Sequence, residues 1–274
     1  MAGFKEAIKD KAAKGKRKNG MKEAIIEQKL NTLFFKKRDP KGEVEFIDLL
    51  LNREGERGER YGLHASAMLA SENEFCLREQ VLSLFYKQIQ GENIPVNLKR
   101  IFEEGNAIHE KWQRMFIRGG IGKPTNMDRS RFKKKYDLSY TPDAQIDILN
   151  CEDVPVEIKS MNTFAFQKAT SHPSGEKQLN FYLCLLNKEW GFVLCEDKNT
   201  QNFKVFIVER DIEKAKPYLK RLKLIQKAKQ TFLEERKMPP RKCKTCDCKR
   251  AEDCNMKDAC FNIGMGRVKL KCNK

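Results

Sequence analysis

The hydrophobic period of the chain changes near residue 136, and this change constrains the fold more than any other feature. Upstream, residues 20–37, 64–90 and Ile101–Phe116 place apolar side chains three and four apart, with Ile101, Phe102, Ile108, Trp112 and Phe116 on one side of the last segment. That spacing predicts helices. Tyr136–Tyr140, Ala144–Leu149 and Val154–Lys159 are instead short and bounded by Pro, Asp and Asn, as strands are. Lys177–Asn187 returns to helical spacing, Trp190–Cys195 and Phe203–Val208 read as strands, and Asp211–Glu235 reads as a long amphipathic helix ended by Pro239 and Pro240. This order predicts an α/β fold: a central mixed sheet flanked by helices, with helical additions. A length of 274 residues suffices for one large domain or two small ones.

Charge is distributed unevenly. The net +17 makes a polyanion the leading partner, nucleic acid before an anionic membrane surface. Residues 1–38 hold 12 basic and 4 acidic groups, residues 236–274 the same, and the middle is nearly balanced at 31 to 30. The first segment predicts a basic N-terminal arm, either solvated or salt-sensitive in its grip on phosphates. The longest apolar run, the six residues Phe181–Leu186, is far below the ~20 of a membrane helix. The lysine-rich first 30 residues do not resemble a secretory signal. A cytoplasmic, reducing location is expected, where cysteines are free thiols or metal ligands. No GxxxxGK followed by Ser or Thr occurs, nor a glycine-rich dinucleotide signature, so any unwinding would fall to a separate helicase or recombination protein.

The segment YTPDAQIDILNCEDVPVEIKS concentrates the chemistry. Side chains alternate along a strand, so Glu157 and Lys159 share a face while Ile158 points to the other. If the two strands pair as a hairpin, Asp143 reaches that same face. Two converging carboxylates suit a hard cation such as magnesium or manganese, and a lysine beside them can steady an attacking water or the charge building on a phosphate. An acid, an apolar residue and a lysine on a strand equally describe a solvated sheet face. His109 lies on the preceding helix, one turn past Gly105, and Gln178 and Tyr182 share one face of the following helix.

Their order carries more than any one of them. The series Gly105 to His109, Pro142–Asp143, Glu157 to Lys159 and Gln178 to Tyr182 resembles the RecB-type nucleases of the PD-(D/E)XK (restriction-endonuclease-like) superfamily, over residues 64–262. The resemblance implies a phosphodiester hydrolase in which His109, Asp143, Glu157 and the Ile158 carbonyl bind Mg2+ or Mn2+. It further implies that Lys159 assists the water and that Gln178 and Tyr182 position DNA. The domains implied are a basic arm over 1–38, a nuclease domain over 39–238 (helical part 64–118, catalytic core 130–235) and a Cys-rich segment over 239–274.

Cysteines probe the resemblance separately. Cys151, Cys184 and Cys195 sit among apolar residues and read as core. Cys243, Cys246, Cys248, Cys254 and Cys260 fall within 18 residues, with Cys272 beyond and Cys76 far upstream, a density that implies metal. An iron-sulfur subset of the same nucleases, including CRISPR-adaptation and phage recombination exonucleases, takes one cysteine before the catalytic strands and three from the C-terminal end. This layout implies a 4Fe-4S cluster on Cys76, Cys243, Cys254 and Cys260, with Cys246 as the alternate and Cys248 third. The family's usual C-terminal spacing, Cys-x2-Cys-x5-Cys, is broken here because Ala251 stands three before Cys254. A zinc knuckle within 243–260 and redox-active or free thiols are the other readings. The expectation is a metal-dependent DNA exonuclease acting on single strands or duplex ends. The alternatives are a non-catalytic nucleic-acid-binding protein with zinc on its cysteines and an RNA-directed nuclease.

Overall fold

The structure is a computed structural model that describes residues 19–34, 41–47, 62–86 and 96–262. Residues 1–18 and 35–38 of the basic arm, and Cys272, lie outside the described residues. In chain order the elements are α1 (19–33), α2 (41–47), β1 (Leu63–His64), α3 (Ala65–Met68), α4 (Leu77–Ser83), α5 (Val96–Arg118), β2 (Gly122–Met127), β3 (Arg131–Lys133), a 3-10 turn (Lys134–Tyr136), β4 (Leu138–Tyr140), β5 (Ala144–Ile148), β6 (Cys151–Met161), α6 (Thr163–Lys168), α7 (Pro173–Leu186), β7 (Trp190–Asp197), β8 (Phe203–Glu209), α8 (Ile212–Glu235), α9 (Lys249–Glu252) and α10 (Lys257–Asn262). The α/β class and a mixed sheet flanked by helices are as expected. Among the described residues no helix is long and apolar enough to cross a membrane.

Two compact units divide the chain. The first (1–49, 102–129 and 142–211) holds a five-stranded sheet in the order β2-β5-β6-β7-β8. All its pairings are antiparallel except β6 with β7, the two strands joined through α6 and α7. As the central strand, β6 is buried on both faces from Val154 to Ile158, so alternation survives only towards its ends. Leu179 and Leu183 of α7 pack on Val193, Cys195, Phe206 and Val208 of the sheet. Of the cysteines expected in the core, Cys195 is buried, while Cys151 and Cys184 are half-buried. Trp112 of α5 is buried edge-on to Phe203, with ring centroids 4.8 Å apart, and donates through Nε1 to buried Glu196 at 2.6 Å. At the outer strand β8, the backbone N–H groups of Val205 and Ile207 donate to Glu27 and Glu23 of α1, each at 2.9 Å. Carboxylates one helical turn apart, about 6 Å of rise, match strand groups two residues apart, about 6.6 Å.

The second unit (50–101, 130–141 and 212–274) holds the sheet β1-β4-β3 and helices α3, α4, α8, α9 and α10. Phe85, just past the end of α4, meets Phe232 of α8, with ring centroids 5.2 Å apart. Arg221 of α8 is buried and donates to the carbonyls of Met68 and Ala70 and to Glu72.

Several local expectations need correction. The helix expected over 64–90 is two short ones, because Ser71 and Glu74 exchange side-chain-to-backbone hydrogen bonds and close a turn between them. Ile101 and Phe102 are about half exposed, and the buried stripe of α5 runs instead through Ile108, Trp112, Met115 and Phe116. Strands β2 and β3 went unpredicted, since GKPTNM and RFK lack strand-forming patterning; β2, with Pro124, is an edge strand, where a missing N–H is tolerated. Arg236, at φ 57°, ends α8 three residues before Pro239.

Candidate active site

The site assembles in the first unit where Asp143, just before β5, meets the middle of β6. The hairpin pairs Ala144 with Val156, which sets Asp143 beside Glu157 and Ile158. Its Oδ2 accepts the Ile158 N–H at 2.6 Å and its Oδ1 lies 3.4 Å from His109 Nδ1. Its carbonyl accepts from the Asp128 N–H at 2.9 Å and from Gln113 Nε2 at 2.7 Å. His109 and Gln113 stand one turn apart on α5, so one helix face reaches both the carboxylate and the backbone of Asp143.

Glu157 is fully buried, its Oε1 accepting from Lys159 Nζ at 2.6 Å and its Oε2 without a hydrogen-bond partner. Lys159 Nζ also donates to Gln178 Oε1 at 3.4 Å, and Gln178 Nε2 donates to Tyr182 OH at 3.1 Å. The chain Glu157–Lys159–Gln178–Tyr182 thus links strand to helix. Tyr182 is itself buried, so its contribution passes through Gln178. This proximity depends on Gly175 in the first turn of α7: a Cβ there would come within 2.9 Å of His172 Nδ1, 3.0 Å of Val193 Cγ1 and 3.4 Å of Lys159 Cγ. His172 caps the helix by accepting the Gly175 N–H at 3.0 Å, and Pro173 follows at the first helical position.

Burial, and then the charge of Asp143, pushes the Glu157 carboxyl from its ordinary 4.5 up to about 8, against the pull of Lys159. For Lys159 burial works against the charged form, yet the charges of Glu157 and Asp143 win and hold its pKa above the ordinary value. These directions pull apart, since one presumes an anionic Glu157 and the other a reluctant one. The raised Glu157 is the firmer, because it is wholly buried with one oxygen orphaned while the Lys159 side chain is 26% exposed. Burial would likewise lower His109, but its hydrogen bond to Asp143 leaves it raised. His172 is lowered by burial and by the charge of Lys159.

Among the described residues no three His, Cys, Asp or Glu side chains stand together as a ready-made metal cage. The oxygens of Asp143 and Oε1 of Glu157 are engaged by Ile158, His109 and Lys159. What fits a cation is the remaining atom: a buried, partnerless carboxylate oxygen beside a second carboxylate, with an imidazole at hand, is a donor set to which Lys159 brings positive charge at only one of the four carboxylate oxygens.

The second unit gathers the cysteines. Cys76, Cys243, Cys254 and Cys260 line one cavity of about 630 Å3, together with Glu79, Lys242 and Arg250 among others. Cys246 is exposed and does not line it, and Cys248 reaches Cys243 by a side-chain hydrogen bond. Burial pushes the Cys254 thiol up to about 12. Arg78, itself buried, donates to Cys260 Sγ at 3.2 Å and to the carbonyls of Pro239 and Cys260. Lys242 and Arg250 tie the segment to carbonyls of residues 72–75.

The reading from sequence missed Gln113, His172 and Gly175. Only Gln113 left a signal, its spacing of four from His109.

No protein-family model matches the chain and no curated protein matches it. Among solved structures it is similar to the alkaline exonuclease LHK-Exo from Laribacter hongkongensis (TM-score 0.43, 15% identity, 64% of this chain and 90% of that one). It is similar also to LHK-Exo in complex with dAMP (TM-score 0.46, 14% identity, 64% and 90%). A third is SSO0001 (TM-score 0.38, 13% identity, 67% and 84%).

Proposed function

We propose that the protein is a metal-dependent nuclease of the PD-(D/E)XK type that hydrolyses phosphodiester bonds in DNA, as an exonuclease. The observation that carries this is the buried, partnerless Oε2 of Glu157 beside Asp143, with the Lys159 ammonium 2.6 Å from the other oxygen. Asp143, Glu157 and His109 would hold Mg2+ or Mn2+, whose chemistry when bound is to polarise the phosphoryl oxygen and acidify water. The chain's own residues do the rest. Gln113 and the Asp128 N–H fix the backbone of Asp143, so its carboxylate is held in place before substrate arrives. Lys159, kept charged by the acidic groups beside it and aimed by Gln178, offers its protons to the attacking water or to the oxygen where charge accumulates. Asp143→Ala or Lys159→Ala should abolish Mg2+- or Mn2+-dependent cleavage of DNA while leaving binding nearly intact. Cleavage by Asp143→Ala at the parent rate would overturn the site.

We further propose that Cys76, Cys243, Cys254 and Cys260 hold a 4Fe-4S cluster, supported by the four thiols lining one cavity. Arg78, Lys242 and Arg250 supply the positive surroundings that four thiolates need. Protein isolated without oxygen should be brown and contain iron and sulfide; a colourless protein carrying zinc would overturn this assignment.

A further inference from the structure

Helix α6 follows the catalytic strand directly and carries two phenylalanines with opposite fates. Phe166 is buried at 7% exposure, whereas Phe164 is 69% exposed. A lone exposed aromatic is ordinary; one displayed on a short element pinned at both ends is less so. The Asn162 side chain caps the first turn through the Ala165 N–H at 2.8 Å. Thr163 Oγ1 donates to buried Asp197 at 2.9 Å and accepts from Asn199 Nδ2 at 2.8 Å. At the other end Lys204 Nζ donates to the carbonyls of Phe166, Gln167 and Ala169 at 2.7, 3.3 and 3.1 Å. Six residues are thus held at both ends, and what they hold outward is a bare ring.

One turn on, Lys168 lies over that ring, with Nζ 3.8 Å from the centroid. The ammonium lies over one face, and the side chain remains 69% exposed, so the ring keeps area for a planar ligand. An aromatic face paired with a cation is the combination that takes up a nucleotide, the base stacking on the ring and the phosphate drawn to the charge. Phe164 is five residues from Lys159, so chain geometry keeps their Cα atoms within about 18 Å, a span of a few nucleotides.

We propose that Phe164 and Lys168 form a stacking platform for an unpaired nucleobase of the strand that passes the active site, an inference resting on the nuclease reading above. A duplex offers no free base face along its length, so the platform favours single-stranded DNA.

The test uses the full chain with EDTA, which stops cleavage, and fluorescence anisotropy with oligo(dT), an abasic strand of equal length and a blunt duplex. Phe164→Ala should weaken oligo(dT) binding by about 5- to 150-fold, the range that alanine substitution of a stacking aromatic spans. It should leave the abasic strand and the duplex unchanged. Phe164→Trp should bind oligo(dT) as the parent does, with its added indole fluorescence quenched by the DNA. Because the side chain is mostly exposed, both variants should melt with the parent. Equal oligo(dT) binding by Phe164→Ala and parent overturns the platform, as does a parent that does not bind oligo(dT), or an equal loss on the abasic strand. A parent that binds oligo(dT) through Phe164 but cuts no DNA with Mg2+ or Mn2+ overturns the nuclease reading alone. A nuclease indifferent to Phe164→Ala overturns the platform alone.

Discussion

Replacing Glu157 by glutamine should stabilise the metal-free protein while destroying its activity. The carboxyl is fully buried, has an oxygen without a partner and ionises only near pH 8 instead of 4.5. Each pH unit between the unfolded value and the working pH is worth about 1.4 kcal/mol, so at pH 7 the proton that the buried carboxyl must take up on folding costs on the order of 3 kcal/mol. The amide keeps the shape and can still accept from Lys159, but its Nε2 donor inherits the partnerless position of Oε2, at roughly 1 to 2 kcal/mol. The net gain is about 1 to 2 kcal/mol, or roughly 2 to 8 °C in melting temperature for a chain of this size. The sign with pH is fixed. A carboxyl whose folded pKa lies above its unfolded one contributes stability below the unfolded value and loses it as pH rises through the folded value. The parent's deficit should therefore open above pH 4.5 and level off beyond pH 8. Thermal melts of both proteins in chelator from pH 5 to 9 read this directly. Added Mg2+ or Mn2+ should raise the parent's melting temperature and leave Glu157→Gln unmoved. If the variant melts at or below the parent at pH 8 in chelator, Glu157 is not held against its preference and the argument from its orphaned oxygen collapses.

Two other substitutions test the scaffold. Gly175→Ala places a methyl within 3.0 Å of Val193 and of His172, so these side chains or the first turn of α7 must give way. The overpacking should cost about 1 to 3 kcal/mol, and cleavage should fall more steeply than the melting temperature because Gln178 moves away from Lys159. Glu23→Ala with Glu27→Ala orphans two backbone N–H groups of β8, each costing about 1 to 3 kcal/mol. The melting temperature should fall, and size-exclusion chromatography should show concentration-dependent association through the freed strand edge.

The grouping of the candidate site residues was legible in part because several of its contacts follow from local geometry. Glu157 and Lys159 share a face by strand alternation, the short turn brings Asp143 across, and a four-residue helical spacing aligns Gln178 with Tyr182. The four preferred cysteines also stand on one cavity. What escaped depends on contacts that exist only once elements meet. Gly175 looks like any helix breaker until Lys159 and Val193 are packed against it. The SxxE at Ser71 reads as one more polar gap in a helix until its two side chains close a turn.

The N-terminal segment shows why charge counting alone misleads about docking. Residues 1–38 contain 12 basic and 4 acidic groups, which suggests a phosphate-binding arm. Helix α1, however, is locally neutral, with Lys22 and Lys29 against Glu23 and Glu27. It docks through its acids: both carboxylates accept from the outer edge of β8, while Lys22 lies 3.4 Å over the Trp190 ring. An edge strand presents backbone N–H groups that need acceptors, and a helix can supply them only through side chains of the right reach and repeat. Glutamates four apart meet that need whatever the net charge around them. The entire excess of the segment therefore belongs to residues 1–18 and 35–38, so deletion of 1–18 should lower affinity for phosphates and flatten its salt dependence, whereas loss of Glu23 and Glu27 should lower stability.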